Sequence, residues 1–110
     1  SQSALKSEPD NPYFKVTHAF ALYRQGQPDK ALELIETVPE EEIMSDPRRR
    51  IIYSMILAKE GQPERAAAFM PESITDYQLM DAERTLYLQA LDLIEREKQN
   101  QAQASAAVAP

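Results

Sequence analysis

Gln25-Gly26-Gln27-Pro28-Asp29-Lys30-Ala31 returns 35 residues later as Glu60-Gly61-Gln62-Pro63-Glu64-Arg65-Ala66, with the acidic and basic positions keeping their sign. Self-similarity at a period of 20–50 residues marks an array of stacked structural units, each too small to bury its own apolar face. The same period links Asn11-Pro12, Asp46-Pro47 and Asp81-Ala82. Asn and Asp are favoured helix N-caps because a side-chain oxygen accepts from a free amide of the first turn. Proline fits the first helical position, where its missing N–H costs nothing. Helices are therefore expected to begin near residues 12, 47 and 82. Gly26 and Gly61 close the first two, since glycine accepts the left-handed conformation of a helix C-terminus. Pro28 and Pro63 then open a second helix in each unit.

The apolar spacing follows the same plan, at steps of three and four residues. Ala19, Leu22 and Tyr23 form one stripe, and Ala31, Leu34, Ile35 and Val38 form its partner. Ile52, Tyr53, Ile56 and Leu57, then Ala66, Ala67 and Met70, repeat the pair in the second unit. Leu86, Tyr87, Ala90, Leu91 and Ile94 mark a third long helix, but Arg96 stands where its closing glycine would fall, so this helix runs on as a cap. The spacing predicts helices near 12–25, 28–38, 47–60, 63–70 and 81–98, an all-α fold of two antiparallel pairs and a capping helix. Segments 1–11 and 99–110 have too few large apolar residues to offset ordering entropy and are expected to be flexible. The chain starts without methionine, as expected of a processed form or of a domain of a longer protein.

Ala19, Leu22 or Tyr23, Gly26 and Ala31, repeated as Ser54, Leu57, Gly61 and Ala66, resemble the signature of the tetratricopeptide repeat. The resemblance spans roughly residues 12–98 and implies about two and a half repeats. His18 departs from the usual large apolar residue, Ile35 and Met70 from a common aromatic, and the period exceeds 34 by one. A period of 35 is also similar to that of the pentatricopeptide family, which reads RNA one base per repeat. Charge argues against that function here. Eighteen acidic against twelve basic residues give a net charge of −6, whereas a polyphosphate needs a positive field.

Catalytic chemistry finds few groups to use. His18 is the one imidazole and there is no cysteine, so His18 is expected to pack on an inner helix face. Glu40-Glu41-Glu42 splay from consecutive positions and do not converge as hard-cation ligands must; they suit a solvated connector. Arg48-Arg49-Arg50 is expected to form surface charge pairs with that run. Gly26 and Gly61 are isolated turn residues, not a phosphate-cradling loop. No enzyme activity, metal or cofactor is expected, and no apolar run approaches the ~20 residues that span a bilayer.

The resemblance implies a concave face lined by the first helix of each pair. Its matching positions are Tyr13, Val16, Thr17, Phe20, Tyr23 and Arg24, then Arg48, Ile51, Ile52, Met55, Ala58 and Lys59, with Glu83, Leu86, Tyr87 and Ala90 from the third helix. Of these, Tyr13, Val16, Phe20, Tyr23, Arg24, Arg48, Ile51, Met55 and Lys59 are the candidate partner-binding residues. The carboxylate clamp of the chaperone-binding subclass is missing, because Val16, Phe20 and Ile52 stand where Lys and Asn would. The alternative is that the stripe is core covered by the third helix. An exposed stripe would receive a protein or peptide segment, or a second copy of the chain. The expected function is an adaptor or scaffold module; a small chaperone that shields an apolar segment of its cargo is the alternative.

Overall fold

The structure, a computed structural model, describes residues 11–71 and 81–108. Among the described residues the chain forms helices α1 (Pro12–Arg24), α2 (Pro28–Ile35), α3 (Glu40–Met44), α4 (Pro47–Lys59), α5 (Pro63–Phe69) and α6 (Asp81–Val108), and no strand. The punctuation read from the sequence operates as chemistry. Asn11 Oδ1 accepts from the Tyr13 amide at 2.8 Å, and Asp46 Oδ2 accepts from the Arg49 amide at 3.3 Å. At the other end of α1, Gly26 adopts φ 83°, with Gly26 N–H donating to Tyr23 O at 3.1 Å and Gln27 N–H to Leu22 O at 2.9 Å. Gly61, at φ 79°, closes α4 identically, with Gly61 N–H on Ala58 O and Gln62 N–H on Leu57 O. This paired bonding satisfies carbonyls that a helix end would otherwise leave open. Space does not require glycine at position 26, where an added Cβ would meet nothing within 4 Å; the positive φ does.

Two antiparallel hairpins result, α1 with α2 and α4 with α5. Ala31 and Ala66 are wholly buried in them, as small residues at a helix crossing must be. α4 packs against α1, α2, α3, α5 and α6, and every residue from Arg50 to Ala58 is buried. A helix apolar on all sides is a core helix. Two polar groups within it are satisfied. Ser54 Oγ donates to Arg50 O at 2.9 Å, and the Arg50 guanidinium donates to Phe69 O at 3.0 Å and Met70 O at 3.1 Å, at the carbonyl end of α5. Arg50 therefore closes α5 where the sequence has no glycine, and a cation suits that end of the helix dipole.

Four expectations need correction. α2 stops at Ile35 instead of continuing to 38, because Pro39 disfavours a helical residue before it and the last turn tightens into three-residue bonds, Thr37 N to Leu34 O and Val38 N to Ile35 O. The acidic run is not a plain connector: it forms α3, held down by Ile43 at 1% exposure while Glu40, Glu41 and Glu42 face water. Its two apolar residues, Ile43 and Met44, are adjacent and give no periodicity to read. Arg50 is buried, so the Arg48-Arg49-Arg50 run is a surface pairing only at Arg49, whose guanidinium lies 3.5 Å from Glu42 and 3.9 Å from Asp46. Finally, α6 does not stop near residue 98 but continues to Val108. Alanine and glutamine favour helix there, and Gln101 Nε2 donates to Gly61 O at 2.7 Å. Segment 1–10 and most of the 71–81 connector lie outside the described residues.

The hairpin crossings give a direct test. Ala31→Leu and Ala66→Leu each force new volume into a fully packed site and should each cost about 1–3 kcal/mol in thermal or chemical melts. Unchanged melts would contradict the packing described.

Candidate functional site: a cleft between α1, α4 and α6

α1 and α6 both pack on α4 but leave a cleft of about 530 Å³ between them. Phe20, Tyr23 and Arg24 form the α1 wall, Met55 and Arg48 the α4 floor and rim, and Leu86 with Thr85 and Gln89 the α6 wall. The four-residue and three-residue steps along α1 bring Phe20, Tyr23 and Arg24 together. The two rings lie nearly parallel at 6.1 Å, and the Arg24 guanidinium sits 5.5 Å from the Phe20 centroid. A cation over an aromatic face is attracted by the ring quadrupole, so Arg24 both orders Phe20 and carries charge to the rim. A neighbouring depression of about 440 Å³ continues the cleft past Thr17, Ala21 and Gln25. Arg48 borders both, and among the described residues no carboxylate lines either.

The candidate residues divide by burial. Phe20 and Tyr23 are half-buried and line the cleft, Arg24 is exposed at its rim, and Arg48 is half-buried beside it. Met55 is 5% exposed, enough to form the floor. Ile51 is wholly buried and Val16 nearly so, at 0% and 3%; both are core, because α4 is enclosed on all sides and α1 lies directly on it. Of the candidate residues, Phe20, Tyr23 and Met55 therefore line one cleft, and Ile51 does not reach it. Tyr13, at 61% exposure, borders a smaller hollow of about 110 Å³ with Asp46, Arg48 and Glu83. Lys59, exposed at the end of α4, lines none of these hollows. His18 is exposed, not packed inward. It stands one period before Tyr53, whose hydroxyl lies 3.3 Å from Glu36 Oε2 at the end of the preceding hairpin, and α1 has no preceding hairpin among the described residues.

Thr85 and Gln89 are cleft residues that sequence reasoning missed. They fall one period after Arg50 and Ser54, which are buried in α4. The sequence signal is the polar character of two positions that are interior one unit earlier, which suits a face left open to water. Elsewhere a concavity of about 440 Å³ lies at the end of α2, but its walls Ile35, Val38 and Ile43 belong to the core and no charged groups converge there apart from Glu36 and Glu40 at its mouth.

The cleft is suited to holding an apolar group beside an anion. Burial raises the Tyr23 phenol above its ordinary value of 10.0. Tyr53 is raised also, first by burial and secondarily by Glu36, with Arg65 opposing. In comparison with known protein families, the model of the tetratricopeptide repeat matches residues 1–59, more than half of the 110-residue chain. No curated protein and no solved structure matches.

Raised phenol values set a pH dependence. A folded value above the unfolded one contributes stability that is complete below pH 10 and is lost as pH rises through the folded value. Thermal melts should therefore fall above pH 10, and Tyr23→Phe should shallow that fall while leaving neutral-pH melting nearly unchanged. An identical alkaline slope for the variant would show that Tyr23 is not held in the cleft wall.

Proposed function

The chain belongs to the tetratricopeptide repeat family, whose members are generally protein–protein interaction modules and typically non-catalytic, and from that premise we propose that the cleft between α1, α4 and α6 receives a segment of a protein partner. One observation carries the reading. An aromatic wall of Phe20 and Tyr23 over Met55 remains open to solvent although α6 packs directly on α4. Apolar surface left exposed between helices has its natural use in covering the apolar side chain of another chain. Met55 supports this role through its flexible, polarisable side chain, which adapts to differing contacts.

The rim adds a preference. Arg24 and Arg48 stand at the cleft, and among the described residues no carboxylate lines it, in a chain whose net charge is −6. Two cations in an otherwise acidic molecule favour a segment with an acidic residue beside its apolar anchor, by local electrostatic complementarity. The adaptor reading follows most simply. A cleft of this size holds one or two side chains and a short run of backbone, as in recognition of a peptide or one helix face.

Selection of random peptides displayed on phage, with the full chain as bait, tests the proposal. Selected peptides should share an apolar anchor next to Asp or Glu. Phe20→Ala should cost over ~2 kcal/mol of their binding, as for other aromatic anchors. Phe20 also packs against the core, so some loss of melting temperature accompanies that variant. Arg24→Glu, at an exposed position, should weaken binding without that loss. Selected peptides that bind both variants as well as the parent would overturn the proposal.

A further inference from the structure

α6 carries the 35-residue register a third time, so its outer face can be compared with α4 position by position. Leu88 and Leu91 stand one period after Tyr53 and Ile56. In α4 those two are 6% and 0% exposed, and the Tyr53 ring packs on Phe69 of α5 with centroids 4.6 Å apart. Leu88 and Leu91 are 57% and 42% exposed, because among the described residues no helix follows α6 to cover them. A capping helix ordinarily turns a polar face outwards. This one keeps leucines there.

The same face continues along α6 at alternating steps of four and three residues: Leu88, Leu91, Glu95, Lys98 and Ala102. Such spacing is the seam by which two helices lie along each other. All five are exposed, and the whole of residues 98–104 is accessible. Glu95 and Lys98 form no ion pair among the described residues, whereas their neighbour Arg96 bonds Asp92 at 2.9 Å.

We propose that this face is where two copies of the chain meet, α6 against α6, antiparallel about a two-fold axis between Arg96 and Glu97. The sequence of the seam is complementary to itself under that operation. Glu95 of each copy falls opposite Lys98 of the other, forming two symmetric ion pairs at the centre. Leu91 falls opposite Ala102, a large side chain against a small one, and Leu88 lies towards the alanine-rich end of the facing helix. A two-fold interface uses one patch on both subunits, so the patch must match its own inverted copy, and this one does in charge and in volume. The helix of each copy supplies for the other the cover that α5 supplies for Tyr53. This surface shares no residue with the cleft, and a dimer leaves the cleft reading unchanged.

Sedimentation velocity of the full chain over a range of concentrations should show a monomer–dimer equilibrium. Glu95→Lys or Lys98→Glu alone should weaken association several-fold by setting like charges opposite, and the combined exchange should restore it. Register is read separately with cysteines, since the chain contains none. Leu91→Cys with Ala102→Cys in one chain should yield a covalent dimer on mild oxidation. Within a copy the two positions lie about 16 Å apart at 1.5 Å per residue, beyond the roughly 7 Å a disulfide spans. Leu91→Cys alone places its two thiols equally far apart across the axis and should not link. A single monomeric species at every concentration overturns the proposal. So does a dimer that ignores both charge reversals but is broken by Arg24→Glu, which would put the second copy in the cleft instead.

Discussion

The enclosure of α4 is the constraint on which the rest of the structure depends. Nine consecutive residues, Arg50 to Ala58, are buried because five other helices pack around one 13-residue cylinder. Burying a helix on every side removes any polar face, so each polar group it retains must be answered from within. Ser54 is answered by its own helix, and Arg50 by the carbonyl end of α5. Removing either partner of such a buried bond costs more than the bond contributes net, since the orphaned group loses water without replacement. Arg50 therefore ties α5 to α4 at the end of the hairpin opposite the Gly61 turn, and the second hairpin is closed at both ends.

Position in the array, more than residue type, decides what each member of the repeat does. His18, Tyr53 and Leu88 share one register position and are exposed, buried and exposed in turn. Phe20, Met55 and Ala90 share another and are half-buried, floor and core. Among the described residues the middle unit has neighbours on both sides and becomes core, whereas the units on either side of it have one neighbour each and keep open faces. The cleft and the leucine seam of α6 are both consequences of this end effect. The first lies between α1 and α6 over the spine, and the second on the side of α6 that no described helix covers.

The repeat made most of the fold legible. Two glycines with positive φ and two Asx caps fall where the 35-residue period puts them, because each is a local backbone requirement, and the two buried alanines follow because each hairpin crosses at the same register position. What escaped depended on neighbours. Nothing local distinguishes Ile51, fully buried, from Met55, which reaches the cleft, since both fit one helical stripe. Helix α3 has a single apolar anchor in Ile43 and so no pattern. Arg50 reads as one of three surface arginines until α5 is placed against it. The cleft was half visible: its α1 wall and Met55 follow from register, while Thr85 and Gln89 depend on how α6 is placed against α4.

Native-state hydrogen exchange tests the central role of α4 most directly, because local stability follows the extent of enclosure. Amides of residues 50–58 should be the slowest in the chain and exchange only through global unfolding. Amides of α1 and of the 98–108 portion of α6 should exchange faster through local opening. Protection in α4 no greater than in that portion of α6 would contradict the account.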